Sequence, residues 1–389
     1  MRMTRKTTLY RAAPLLLGLA LCQTAQARED GAPERAPAAL IAIDGDGEAT
    51  LRWEPVPQAE RYEVRRRLGI SKSARKKPFT VIAEDVRGTS YVDDRARNGT
   101  AYYYTVRAVT ADGTELELNP AKATPVALPE PGSVVWPLSG SSEPDADGVA
   151  FQYGPRKIGR SYDFHAGIDI PAPRGTPVYP VMDGVVTEIV EWNGKRGPGN
   201  KVLVSHGDKI WTNYLHLDQF APGLKVGQKV EAGKTLLGTV GKTGAHSEHL
   251  HLTYMVGLRS EKTSEMRSKN PLEILPHTSP SDISVDFKPG NQIEITFPTQ
   301  NMTARWIVVK GADQARVLDY YQIVDQGSKK RDTPRQAGLF LRATGLNAPT
   351  DARSHFKLVL RPHPAGAFPV ERVQVLDFNG KAIAEARVE

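Results

Sequence analysis

Residues 244–252 read Gly-Ala-His-Ser-Glu-His-Leu-His-Leu, which puts three histidines within six positions of a chain that has nine. Six of the nine (His165, His206, His216, His246, His249 and His251) fall within 87 residues. Imidazoles gathered this way suit metal binding and proton transfer. His249-Leu250-His251-Leu252 alternates polar and apolar, and residues two apart on a strand share a face. Both imidazoles then project from one face while both leucines enter a core. A purely structural role would leave two adjacent buried imidazoles to find partners, which is costly.

Upstream, Phe164-His165-Ala166-Gly167-Ile168-Asp169-Ile170 sets a histidine and an aspartate four residues apart. A helix would bring that pair to one ion, but Gly167, Ile168, Ile170, Pro171 and Pro173 oppose a helix. A straight strand would leave the two ~13 Å apart at ~3.3 Å per residue. The chain must therefore turn near Ala166-Gly167, where glycine permits it, and bring His165 and Asp169 back to one of the paired histidines. Two imidazoles and a carboxylate are a donor set that Zn²⁺ takes at about 2.0–2.2 Å, with a fourth position open to water. A closed structural site would want four protein ligands, usually with cysteine. Zinc so held lowers the pKa of its water toward ~7. The chain contains no His-Glu-x-x-His, so the base must be a histidine rather than that motif's glutamate.

The elements that must carry these residues are strands and turns. Glycine (34) and proline (29) together run above average, and leucine-rich helical runs are scarce. The 389 residues suggest two or three domains. Residues 1–27 read as an export signal. Arg2, Arg5, Lys6 and Arg11 precede the apolar run 12–22, and Ala25-Gln26-Ala27 offers a cleavage site before Arg28. Leu21 before Cys22 disfavours a lipid anchor there. Removal of four positive and no negative residues takes the formal charge from +7 to +3, which weakens any charge argument for nucleic acid. The single cysteine leaves with it, so disulfide scaffolds, thiolate ligands and cysteine nucleophiles are excluded from the mature chain. No later stretch approaches 18 continuous apolar residues, so no integral membrane segment is expected in the mature chain. The protein is expected to be exported, either periplasmic or secreted.

Residues 28–37 read as a flexible start. Pro-rich stretches 120–132 and 276–282 read as linkers, dividing the mature chain into 38–128, 133–276 and 280–389. The expected class is all-β and multidomain. In the first piece, 49–53 and 62–65 alternate, and Tyr102, Tyr104, Val106 and Ala108 share a face. Asp46-Gly47, Asn98-Gly99 and Asp112-Gly113 supply turns, as in a β-sandwich. Residues 65–77 carry seven positive charges and no acid. They read as a loop, either simply solvated or in contact with an anionic envelope polymer. The last piece alternates at 293–297, 306–309, 356–360 and 373–378, with an Asn379-Gly380 turn, and reads as a second β-sandwich of unknown role. His355 and His363 there have no acidic or histidine partner at useful spacing.

Two resemblances follow. Leu51-x-Trp53-x-Pro55-Val56, Tyr62-x-Val64 and Asn98-Gly99-Thr100-Ala101-Tyr102 resemble a fibronectin type III domain. That likeness implies a core Trp53 and a tyrosine-corner Tyr102. His165-x-Gly167-x-Asp169, Gly175-Thr176-Pro177-Val178, Asp183-Gly184-Val185-Val186, Tyr214-Leu215-His216-Leu217, Val226-Gly227-Gln228-Lys229-Val230, His249-Leu250-His251 and Asn270-Pro271-Leu272 occur in order. They resemble the LytM/lysostaphin-type zinc metallopeptidases, which cleave peptide cross-links of bacterial peptidoglycan. The resemblance implies a compact antiparallel β metallopeptidase domain. It implies zinc ligands at His165, Asp169 and His251, and catalytic histidines at His216 and His249. His249 would accept the water proton, and His216 would orient the water or steady the oxyanion. The sequence departs from the family pattern at Ala245-His246-Ser247-Glu248 and at Leu252-Thr253, which bears on the groove and on the groups behind the ligands. His246 and Glu248 read as a surface turn, and His206 as a structural hydrogen-bonding residue. Retention of all five site residues argues against the rival reading, a non-catalytic wall-binding regulator that activates other hydrolases.

Overall fold

A computed structural model describes residues 38–69, 77–138, 140, 149, 151–158, 161–195, 197–257, 268–278, 283–290, 292–298, 303–322, 335–336, 339–340, 355–362 and 369–388. The export signal at 1–27, the start at 28–37 and His363 lie outside the described residues. The fold is all-β. Among the described residues no α-helix occurs, and no helix is long and apolar enough to cross a membrane.

The first module is a sandwich of two antiparallel sheets. One holds β1 (Leu40–Asp44), β2 (Ala49–Trp53) and β5 (Ser90–Asp93). The other holds β3 (Ala59–Leu68), β4 (Thr80–Val86), β6 (Tyr102–Thr110), β7 (Glu115–Glu117) and β8 (Ala121–Ala123). The alternation of β6 buries Tyr102, Tyr104, Val106 and Ala108 in a core with Trp53, whose ring meets Tyr62 edge-on at 5.3 Å. Tyr102 Oη accepts from the Arg97 backbone N–H at 3.1 Å, closing the tyrosine corner.

The basic stretch is not wholly a loop. Arg65, Arg66 and Arg67 lie on β3, while residues 70–76 fall outside the described residues. Arg65 pairs with Glu63 and Glu117, Arg66 with Asp93 at 2.6 Å, and Arg67 stacks over Phe79 and Tyr103. Three of the seven charges are thus engaged by the module's own acids and rings.

The second module is built on a nine-stranded antiparallel sheet. Its main path runs through β11 (Ile168–Ile170), β18 (Leu250–Val256), β15 (Ile210–Phe220), β14 (Asn200–Ser205), β13 (Gly184–Val190) and β16 (Lys229–Val230). The short strands β12 (Pro177–Val178), β17 (Gly238–Val240) and β19 (Ser268–Lys269) pair alongside. A separate two-stranded hairpin, β9 (Gly154–Ile158) and β10 (Ser161–His165), leads into β11. One sheet face buries Ile168, Ile170, Val202, Val204, Tyr214, Leu217, Leu250 and Leu252.

The third module is again a sandwich. One sheet holds β20 (Ser284–Lys288), β21 (Gln292–Pro298), β24 (Arg335–Gln336), β25 (Leu339–Phe340) and β26 (His355–Pro362). The other holds β22 (Ala304–Lys310), β23 (Ala315–Asp319), β27 (Arg372–Asp377) and β28 (Ala382–Arg387), with Asn379-Gly380 turning between the last two.

The Pro-rich stretch at 120–132 is built in rather than spanning a gap. Ala121–Ala123 add a strand to the first sandwich, and Val126 packs in the central core. β1 is buried on both faces. Leu40 and Ala42 face their own core, while Ile41 and Ile43 meet Trp306 of the third module. Where the modules meet, Lys269 Nζ lies 2.9 Å from Asp44 and 2.6 Å from Glu273, and Arg305 Nη1 lies 3.1 Å from Asp44. Burial works against the Asp44 charge, but Lys269 and Arg305 outweigh it and hold the carboxyl below its ordinary range. Buried charges need such partners.

Candidate metal and proton-transfer site

Strand pairing assembles the site. β10 ends at His165, the chain turns through Ala166 and Gly167, and β11 places Asp169 opposite His251 of β18. Gly167 is required by close approach. A Cβ there would sit 2.4 Å from the Leu252 carbonyl oxygen and 2.7 Å from His251 Nε2. Leu250 and Leu252 are fully buried, so His249 and His251 share the opposite face of the strand.

His165 Nε2, Asp169 Oδ1 and His251 Nδ1 form a near-equilateral triangle with sides of 3.1, 2.8 and 3.0 Å. Together they make a cluster able to hold a metal ion. A tetrahedral Zn²⁺ with bonds of about 2.0–2.1 Å separates its donors by about 3.3–3.4 Å, so the triangle is near that size and slightly tight.

The outer ring nitrogens bear on the tautomers, and for His165 the partner settles it. His165 Nδ1 lies 2.9 Å from the Gln152 carbonyl, which can only accept. Nδ1 therefore carries the proton, and the lone pair of Nε2 points into the triangle. His251 Nε2 lies 3.0 Å from Thr253 Oγ1, a hydroxyl that can accept as well as donate; when it accepts Nε2–H, the lone pair of Nδ1 turns inward as well. In that tautomer two lone pairs and a carboxylate oxygen converge within about 3 Å, an arrangement suited to a cation. Burial would raise the Asp169 carboxyl, but the His165 and His251 imidazoles outweigh it and hold it well below the usual carboxylate range.

Beside the triangle lie His216 and His249, with ring centroids 4.9 Å apart. His216 is 5.9 Å from His251, and His249 Nε2 is 3.5 Å from Asp169 Oδ1. Both rings give Nδ1–H to a carbonyl, His216 to Thr243 at 2.8 Å and His249 to Ser247 at 2.9 Å. Each Nε2 is then a proton acceptor in the neutral ring. Burial pushes His216 down to about 4, with the neighbouring imidazoles adding to the effect, so it is neutral near pH 7.

A bulge brings His216 to the site. β15 carries one extra residue against β14, between Tyr214↔Val202 and Leu217↔Asn200, and His216 has φ +63°. Tyr214 and Leu217, three apart, both enter the core, and His216 faces the triangle of His165, Asp169 and His251. Such a left-handed conformation at a non-glycine residue is strain held by its surroundings. Here the His216 backbone N–H donates to the Pro198 carbonyl at 3.1 Å.

The structure thus brings together His165, Asp169, His216, His249 and His251. His206 stands apart, bonded to the Asp183 carbonyl and Thr212 Oγ1 at 2.7 Å each. His246 and Glu248 are exposed on a turn. Sequence reasoning missed the carbonyls of Gln152, Thr243 and Ser247, which carry no side-chain signal. Thr253 was findable, because it follows His249 and His251 at strand spacing on the same face.

Residues 163–264 match the family profile of peptidase family M23, and residues 40–124 match a fibronectin type III domain, the third domain of SaeA. The chain is 32% identical over 183 residues to the uncharacterized lipoprotein YgeR of Escherichia coli, covering 42% of this chain and 67% of that protein. It is 37% identical over 103 residues to the DD-carboxypeptidase/endopeptidase Mpg of Neisseria meningitidis and 38% over 109 residues to the peptidoglycan DD-endopeptidase ShyA of Vibrio cholerae. Those matches cover 26% and 28% of this chain but only 22% and 24% of the two enzymes. The catalytic domain of lysostaphin from Staphylococcus simulans is 30% identical, with 32% of this chain and 87% of that one covered and a TM-score of 0.27.

Proposed function

We propose that this chain, which belongs to peptidase family M23, is an exported zinc-dependent endopeptidase that hydrolyses peptide cross-links of bacterial peptidoglycan. The observation that carries this reading is the convergence of His165 Nε2, Asp169 Oδ1 and His251 Nδ1 beside the two acceptor nitrogens of His216 and His249. Family membership supports peptidoglycan as the substrate, and the relative ShyA is a peptidoglycan DD-endopeptidase.

His165, Asp169 and His251 would hold Zn²⁺, which when bound would supply Lewis acidity toward a water and a carbonyl. The Gln152 carbonyl fixes the tautomer of His165, and Thr253 Oγ1 can accept Nε2–H of His251, so both rings can present a lone pair. His249, with Nδ1–H anchored on Ser247, accepts the water proton at Nε2 and returns it to the leaving amine. Of the two roles open to His216, orienting the water fits better than steadying an oxyanion. Its Nδ1–H is spent on Thr243, and burial opposes a second proton at Nε2. The basic stretch adds little support for an anionic partner, because Arg65, Arg66 and Arg67 are engaged within the sandwich.

The test is digestion of purified sacculi by the full chain, with and without a zinc chelator, followed by mass analysis of the released fragments. Chelator-sensitive release of fragments opened at a peptide cross-link is expected. A chain that leaves sacculi intact yet stimulates other wall hydrolases would instead be a regulator.

A further inference from the structure

The hairpin that delivers His165 is its own two-stranded sheet, joined to the main sheet beside it by the Phe151↔Asp169 bridge. An isolated two-stranded hairpin is marginally stable in water. Besides packing on the second module's own core, this hairpin is supported from the third module. Tyr321 meets Tyr153 edge-on at 5.0 Å, and Tyr153 meets Phe164, the neighbour of His165, edge-on at 5.1 Å. Tyr321 packs against the cores of both the second and the third module. Its hydroxyl is held by Asn270 Nδ2 at 3.1 Å, and Tyr153 Oη donates to the Ser268 carbonyl at 2.8 Å. Tyr320 lies under Gly154, where an added Cβ would meet its ring at 3.1 Å. Gly154 is the residue paired with His165. Tyr320 also hydrogen-bonds the side chain of Gln152, whose backbone carbonyl fixes the His165 tautomer.

Two routes, one of rings and one of hydrogen bonds, therefore run from the third module to one corner of the triangle. We infer that Tyr320 and Tyr321 are positioning residues for His165, so that docking of the third module sets how tightly the centre holds its metal. The inference rests on the metal-centre reading above. It gives the third module a role that its own residues, which include no metal cluster among those described, do not otherwise suggest.

Zinc affinity of the full chain is measured by competition with a chromophoric chelator, alongside urea denaturation. Tyr321→Ala removes the ring and should weaken zinc binding about tenfold or more, as loss of groups behind metal ligands does. Tyr321→Phe keeps the ring edge against Tyr153 and should stay within about threefold. A merely structural role would lower the denaturation midpoint of Tyr321→Ala and leave zinc affinity at the wild-type value, which overturns the inference. If Tyr321→Ala does not fold, Tyr320→Phe decides. It keeps the ring and loses the hydroxyl that bonds Gln152, so weaker zinc supports the inference and unchanged affinity overturns it. A wild-type chain that binds no zinc sinks the metal-centre reading itself, a result distinct from either of these.

Discussion

Replacing Gly167 with alanine tests the centre with a single methyl group. Gly167 has no left-handed backbone to forbid a side chain, so the whole effect is steric. The new Cβ would lie 2.4 Å from the Leu252 oxygen, 2.7 Å from His251 Nε2 and 3.0 Å from His251 Cε1. Restoring ordinary contact with the backbone oxygen needs a retreat of about 1 Å, and β11 is tied to β18 by the very pairing that sets Asp169 against His251. Metal sites tolerate errors of about 0.2 Å in ligand distance. The strand or the ring must yield by several times that. Gly167→Ala is therefore expected to lose about 10- to 100-fold in zinc affinity. Overpacking should also cost about 1–3 kcal/mol of stability. Chelator competition reads the first effect and urea denaturation of the metal-free chain the second. Wild-type zinc affinity in Gly167→Ala would refute the claim that this close approach holds the triangle.

Other outcomes follow from the same geometry. His251→Ala should abolish zinc retention in elemental analysis, whereas His216→Ala should keep zinc and lose about 10²–10⁴-fold in turnover on sacculi; substantial hydrolysis by both variants would show the roles to be misassigned. Burial pushes His206 down to about 4 from an ordinary 6.5, so below pH 6.5 the unfolded chain takes up a proton that the folded chain refuses. Its contribution is complete above about pH 6.5 and is lost progressively toward about pH 4, so the fall in urea midpoint of the metal-free protein between pH 7 and 4.5 should be smaller in His206→Gln; equal falls would dismiss the assignment. Lys269→Met leaves Asp44 and Glu273 buried with one cation fewer and should cost about 3–5 kcal/mol, read as a lowered thermal midpoint.

Local chemistry made much of this molecule legible in the chain. Alternation at Tyr102, Tyr104, Val106 and Ala108, and at His249 through Leu252, has period two, so each side chain's face follows from its position. Helix-opposing residues between His165 and Asp169 forced the turn that brings these two together. Those inferences need only neighbours in sequence. His216 is different, because regular alternation from Tyr214 would send it to the core, and only the extra residue opposite β14 turns it to the triangle of His165, Asp169 and His251. A bulge is a mismatch between two strands and has no meaning within one of them.

The same limit explains the rest. The basic run at 65–77 looked uniformly free in sequence, but Glu117, Asp93 and the Phe79 and Tyr103 rings meet its first three arginines from other strands. The carbonyls behind His165, His216 and His249 belong to residues whose side chains say nothing about them. The contacts of Tyr320 and Tyr321 with the hairpin span more than 150 residues of chain. Residue type and spacing determined which atoms could bind a metal and move a proton. Strand register and the docking of modules decided which of them meet, because those depend on surfaces brought together by burial rather than on the order of residues along the chain.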